Sequence, residues 1–181
     1  CYAYIDIVGP KRDLHSGAFG GGVNNPLNVL GHLIAKLKDE DGRILIPGFY
    51  DKVRPLTKQE RELLAKFPLD EASWLAESGT PQPWGDPDYT LVERLGARPT
   101  LDLHGIIGGY TGAGAKTVLP SKVHAKLSMR LVPDQDFREI GRLLKAYIAK
   151  IVPPSVQVEA TFGHRSSART PYLNTPAIKT A

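Results

Sequence analysis

Residues 108–117 read Gly-Gly-Tyr-Thr-Gly-Ala-Gly-Ala-Lys-Thr and miss a phosphate-binding loop by one residue. That loop requires G-x-x-x-x-G-K-[ST], with Lys directly after the second Gly. Gly109 and Gly114 have the correct spacing, but Ala115 intrudes before Lys116 and Thr117. A phosphate cradle also needs a helix after the loop, so that free amides and the helix dipole meet the anion. Here "VLPSKVHAKLSMRL" follows, with Pro120 leading into alternating residues. The nucleotide reading fails on that ground. What remains is a glycine connection between two strands, with Lys116 and Thr117 solvated.

The remaining chemistry-bearing residues form no self-evident constellation. His15, His32, His104, His124 and His164 are far apart, and none belongs to H-E-x-x-H or a paired Cys/His cluster. No metal ligand set is therefore assigned to this chain. Ser16 follows His15, but adjacency in sequence does not create a nucleophile–base pair. From the residues alone His15 is either a functional group or a solvated loop histidine, and the ordinary reading of Arg130 is half of a surface salt bridge. His32 reads as structural or solvated.

The elements that must position these groups follow from periodicity. Cys1, Ala3, Ile5 and Ile7 alternate with Tyr2, Tyr4 and Asp6, the period of a strand. Asn25 as N-cap and Pro26 at the first helical position open a helix, 25–39, with Leu27, Leu30, Leu33, Ile34 and Leu37 as its apolar stripe. A strand lies in "TLDLHGIIGGY". In the next, Val123, Ala125, Leu127, Met129 and Leu131 oppose His124, Lys126, Ser128 and Arg130. Asp136 with Glu139 resembles a capping box ahead of a helix through Ile140, Leu144, Ile148 and Ile151, which "VPP" ends. Val156, Val158, Ala160 and Phe162 mark a last strand. The fold expected is α+β: a ferredoxin-like βαββαβ antiparallel sheet with two helices on one face. An insertion over roughly 43–98 carries short helices at Thr57/Glu60, Asp70–Ser78 and Asp88–Leu95.

Composition narrows the function classes. The 23 Lys and Arg residues are scattered among 19 acids, giving a net charge of +4 with no basic block. That describes a solvated surface, and no nucleic-acid partner is expected. RNA-binding sheets of this topology also stack bases on aromatics, which 122–132 lacks. Cys1 is the single cysteine, which implies a reducing, cytoplasmic setting without an internal disulfide. No apolar run reaches the ~18 residues of a membrane span. The sequence starts inside a strand and its sole Met is Met129, so a piece of a longer protein is expected. A free-standing module that binds a small molecule such as an amino acid is the alternative, since fold does not dictate function.

Four motifs occur in order: "DLHSGAFGGGVNNP" (13–26), "DGRILIPGFYDKV" (41–53), "GIIGGYTGAGAKTVLP" (105–120) and "AKLSMRLVPDQ" (125–135). Together they resemble the dimerisation, or lid, domain of the M20 zinc metallopeptidases, closest to the carnosinase and cytosolic nonspecific dipeptidase branch. The resemblance covers almost all of 1–181. It implies a lid inserted in a catalytic domain that carries two zinc ions and an acidic general base, all outside this chain, so that the isolated fragment is inactive. It further implies a homodimer through the lid, with the helix 25–39 and an edge strand at the interface, and dipeptides or small peptides as substrates. By resemblance His15 reaches the partner subunit's active site and stabilises the tetrahedral intermediate. Thr117 contacts substrate and Arg130 grips the peptide's C-terminal carboxylate. A guanidinium suits that last task, because its planar fork meets a carboxylate with two hydrogen bonds.

Overall fold

The computed structural model describes residues 1–163 and Ser166; His164 and the end of the 1–181 domain lie outside the described residues. Four long strands form one antiparallel sheet: β1 (Tyr2–Val8), β3 (Thr100–Gly108), β5 (Lys122–Arg130) and β6 (Gln157–Phe162), in the order β3-β5-β1-β6. Two-residue strands β2 (Leu14–His15) and β4 (Val118–Leu119) make a separate small ladder. The long helices are α2 (Pro26–Leu37) and α6 (Phe137–Ile151), which completes the expected βαββαβ order of major elements. A four-residue turn of helix, α1 (Ser16–Phe19), follows β2.

Alternation decides which face is covered. Ala3, Ile5 and Ile7 of β1 and Val123, Ala125, Leu127 and Met129 of β5 are buried on one side. Val29, Leu30, Leu33 and Leu37 from α2, with Ile140, Leu144 and Ile148 from α6, close over that same side. Both helices therefore sit on one face, and no described helix covers the other, open face. Each helix begins where a side chain replaces a missing backbone acceptor. Asn25 accepts from the Leu27 amide at 2.9 Å, and Asp136 accepts from the Arg138 and Glu139 amides.

The insertion is only partly peripheral. Ile44, Ile46 and Phe49 join the main core, and the buried Gln135 amide group donates to the Phe49 carbonyl at 2.8 Å. Beyond them, α3 (Lys58–Leu64) starts with the expected Thr57/Glu60 capping box. Then α4 (Glu71–Ser78) runs from Asp70 to Gly79, whose left-handed φ of 69° closes it. The third helix, α5 (Leu91–Ala97), begins later than the Asp88 start expected. Thr90 and Glu93 form the capping box there, while Asp88 is held outside the helix by Arg43 at 3.0 Å.

Leu144 is wholly buried between α6 and the sheet. Leu144→Ala is expected to lower the domain's unfolding free energy by about 2–5 kcal/mol, the usual range for a buried Leu truncated to Ala. Urea denaturation followed by circular dichroism checks this.

Candidate functional site

The small ladder brings two of the three expected site residues together. β2 pairs antiparallel with β4 in the register Leu14↔Leu119 and His15↔Val118. Next to it the Ser16 amide donates to the Thr117 carbonyl at 3.0 Å. His15 and Thr117 therefore stand side by side, both exposed. The ladder is anchored to the main sheet through Ser121. Its carbonyl accepts from the Gly9 amide at 2.8 Å, and its amide donates to Asp13 Oδ1 at 2.8 Å. The Ser121 amide first, and then the Ser121 hydroxyl, hold the Asp13 carboxyl below its ordinary value of 3.8, with a smaller contribution from Lys116.

The orientation of the His15 ring follows from one contact. Its Nδ1 accepts from the Gly17 amide at 3.1 Å. An amide can only donate, so Nδ1 carries no proton and Nε2 of the neutral ring carries it. Glycine at 17 makes this possible, since a Cβ there would lie 2.8 Å from His15 Cε1. The result is an exposed N–H donor with a set direction. Such a donor suits an oxygen that gains negative charge during hydrolysis.

The glycine stretch 108–117 is a turn between β3 and β4, with strand and not helix after Thr117. Gly109 and Gly114 take left-handed φ values of 74° and 79°. The Tyr110 hydroxyl donates to the Ala113 carbonyl at 2.9 Å, and the Lys116 ammonium sits 5.4 Å from the Tyr110 ring. No amide cradle at a helix start exists here for phosphate.

Arg130 lies apart. It ends β5 on the open face, and at about 3.3 Å per residue roughly 26 Å separates the two ends of this nine-residue strand. Its guanidinium is exposed and makes no hydrogen bond or ion pair with the described residues. It is not half of a surface salt bridge among them.

The open face also carries groups whose partners need the register to be seen. His104 Nε2 and Ser128 Oγ share a 2.6 Å hydrogen bond, with the Tyr2 ring centred 6.1 Å from the imidazole. His124 Nδ1 meets Asp6 Oδ1 at 2.8 Å, and Tyr4 stacks on that ring at 5.9 Å. Alternation put His124 on this face but could not pair it with Asp6. Among the described residues no three His, Cys, Asp or Glu side chains gather as a metal ion requires. No described helix is long and apolar enough to cross a membrane.

A family described as the peptidase dimerisation domain, of the M20 peptidases, matches residues 2–156. The chain belongs to this family. It is 41% identical over 147 residues to the Cys-Gly metallodipeptidase DUG1 of Candida albicans, which covers 81% of this chain and 30% of that protein. It is 37% identical over 133 residues to the Beta-Ala-His dipeptidase of Rattus norvegicus, covering 74% of the chain and 27% of that protein. The structure superposes on the di-peptidase Dug1p of Saccharomyces cerevisiae with a TM-score of 0.83 at 30% identity, over 98% of this chain and 38% of the other. The chain spans roughly a third of the length of these relatives. It is a dimerisation domain of metallodipeptidase relatives, and the free-standing amino-acid-binding module is set aside.

If Asp13 anchors the ladder, Asp13→Ala should speed hydrogen exchange at the Ser121 and Ser16 amides while core amides of β1 stay protected. The same loosening should come with acid in the unaltered protein. A lowered folded-state pKa contributes stability that is complete above the unfolded value near 3.8. That contribution is lost as pH falls through the lower folded value. Exchange measured by NMR at neutral and acid pH checks both.

Proposed function

We propose that this domain is the lid of a homodimeric, zinc-dependent dipeptidase and supplies binding groups to two different active sites. The observation that carries the reading is the separation of Arg130 from His15 and Thr117. The ~26 Å length of β5 far exceeds a dipeptide, whose extended backbone spans only about 7 Å. No single dipeptide touches both ends of one lid. In a two-fold dimer, however, Arg130 serves the active site of its own subunit while His15 and Thr117 reach the partner's.

The roles follow from what each group offers. Arg130, free of protein partners among the described residues, presents a planar fork to the substrate's C-terminal carboxylate. His15 directs its Nε2–H at the oxygen that becomes anionic when the peptide carbonyl is attacked. The Thr117 hydroxyl, one cross-strand step away, contacts the same substrate. Two zinc ions and an acidic general base belong to the catalytic domain of that enzyme. The dimer contact is the free edge of β3 with α2. Leu103, Ile106 and Ile107 are exposed along that edge, Ile107 by 63%, and an edge strand can extend its sheet across a two-fold axis. A cytoplasmic setting fits the absence of any disulfide partner for Cys1.

In the full-length enzyme, Arg130→Ala should cut kcat/KM about ten- to 150-fold, the loss of a charge-assisted contact worth roughly 1.5–3 kcal/mol. Arg130→Lys should recover part of it. Wild type should discriminate strongly against a substrate with an amidated C-terminus, and Arg130→Ala should treat acid and amide almost alike. Equal losses on both substrates would make Arg130 a structural residue.

A further inference from the structure

We propose that His104, held by Ser128, forms the wall of the subsite next to Arg130 and selects the side chain of the substrate's C-terminal residue. The inference rests on the reading of Arg130 as the carboxylate clamp. Ser128 precedes Arg130 by two residues on the same strand face, a spacing of about 7 Å. A residue whose carboxylate sits on the guanidinium therefore has its side chain within reach of whatever covers Ser128.

What covers it is the His104 imidazole. Leu103 pairs with Leu127 and Gly105 with Lys126, so His104 is the extra residue of a bulge in β3. Bulges re-aim a side chain out of the regular ladder. Here the ring swings over β5, and Nε2 meets Ser128 Oγ at 2.6 Å. Ser128 is only 6% exposed, while His104 itself remains exposed. Tyr2, the Cα partner of Ser128 on β1, flanks the ring from the other side. The imidazole is thus fixed at one nitrogen. Nδ1 makes no hydrogen bond with the described residues, and the ring belongs to an exposed residue.

An oriented, half-used imidazole recognises a hydrogen-bonding side chain better than an aliphatic one of equal size. Desolvating Nδ1 against a methyl group leaves a polar atom unpaired. The predicted preference is for dipeptides such as Ala-Asn over the near-isosteric Ala-Leu.

The test measures kcat/KM of the full-length enzyme for Ala-Asn, Ala-Leu and the C-terminal amide of Ala-Asn. Wild type should favour Ala-Asn over Ala-Leu, and His104→Ala should reduce that ratio about five- to tenfold, the value of one neutral hydrogen bond. Ser128→Ala, which keeps the ring but frees it, should reduce the ratio by a smaller factor. His104→Gln, which keeps a hydrogen-bonding group, should restore part of it. Acid-over-amide discrimination by Arg130 should persist in all three variants. A ratio that stays constant while all rates fall together, or no change at all, overturns the assignment of His104. A wild type indifferent to amidation sinks the Arg130 clamp instead, and the Asn-to-Leu ratio still decides whether His104 faces the substrate.

Discussion

Seven residue pairs, Tyr2↔Ser128 through Val8↔Lys122, lock β1 against β5, and the rest of the lid is built on that ladder. The pairing buries one face of both strands beneath α2 and α6, and no described helix covers the other. It also acts as a ruler. At the Lys122 end, Ser121 holds the His15 and Thr117 loops through the Gly9 amide and the Asp13 carboxylate. At the opposite end stands Arg130, with Thr100 of β3 as its register partner. A β-ladder cannot shorten without breaking its hydrogen bonds. The two sets of proposed site residues are thus kept apart by the same interaction that makes the core.

Near each end, small local devices aim the side chains. The tiny ladder of β2 and β4 has only two residue pairs, too few to be stable by itself. It persists because Ser121 ties it to the sheet. The Gly17 amide then selects the His15 tautomer, and the absence of a Cβ at 17 lets the ring fold back onto it. On the other end the β3 bulge turns His104 over Ser128. None of these devices adds much burial. Their effect is on direction.

Much of the fold was legible because its signals are local. The alternation in 1–8 and 122–131 follows from burial of one strand face, and Asn25, Thr57, Asp70 and Asp136 cap the helices that their side chains announced. The start of α5 was misplaced because Asp88 is as good a cap as Thr90 in isolation. Arg43, 45 residues earlier, decides between them. Two-residue strands have no period to read, and a bulge depends on pairing with a distant strand, so β2, β4 and the placement of His104 were not legible. For the site, the motifs singled out His15, Thr117 and Arg130 by resemblance. Their division between two ends of the sheet needed the β1–β5 register.

The central claim is that one lid serves two active sites, and mixed dimers of the full-length enzyme test it directly. His15→Ala and Arg130→Ala subunits are each crippled alone. Mixed in equal amounts under conditions where subunit exchange is verified, half of the dimers are hybrids by random reassortment. In each hybrid one site receives an intact Arg130 from one subunit and an intact His15 from the other, while the second site has neither. The account predicts recovery to about a quarter of wild-type activity. If His15 and Arg130 of one chain served the same site, every site in the hybrid would keep one defect. Activity no greater than the sum of the two residual activities, with exchange complete, would contradict the account.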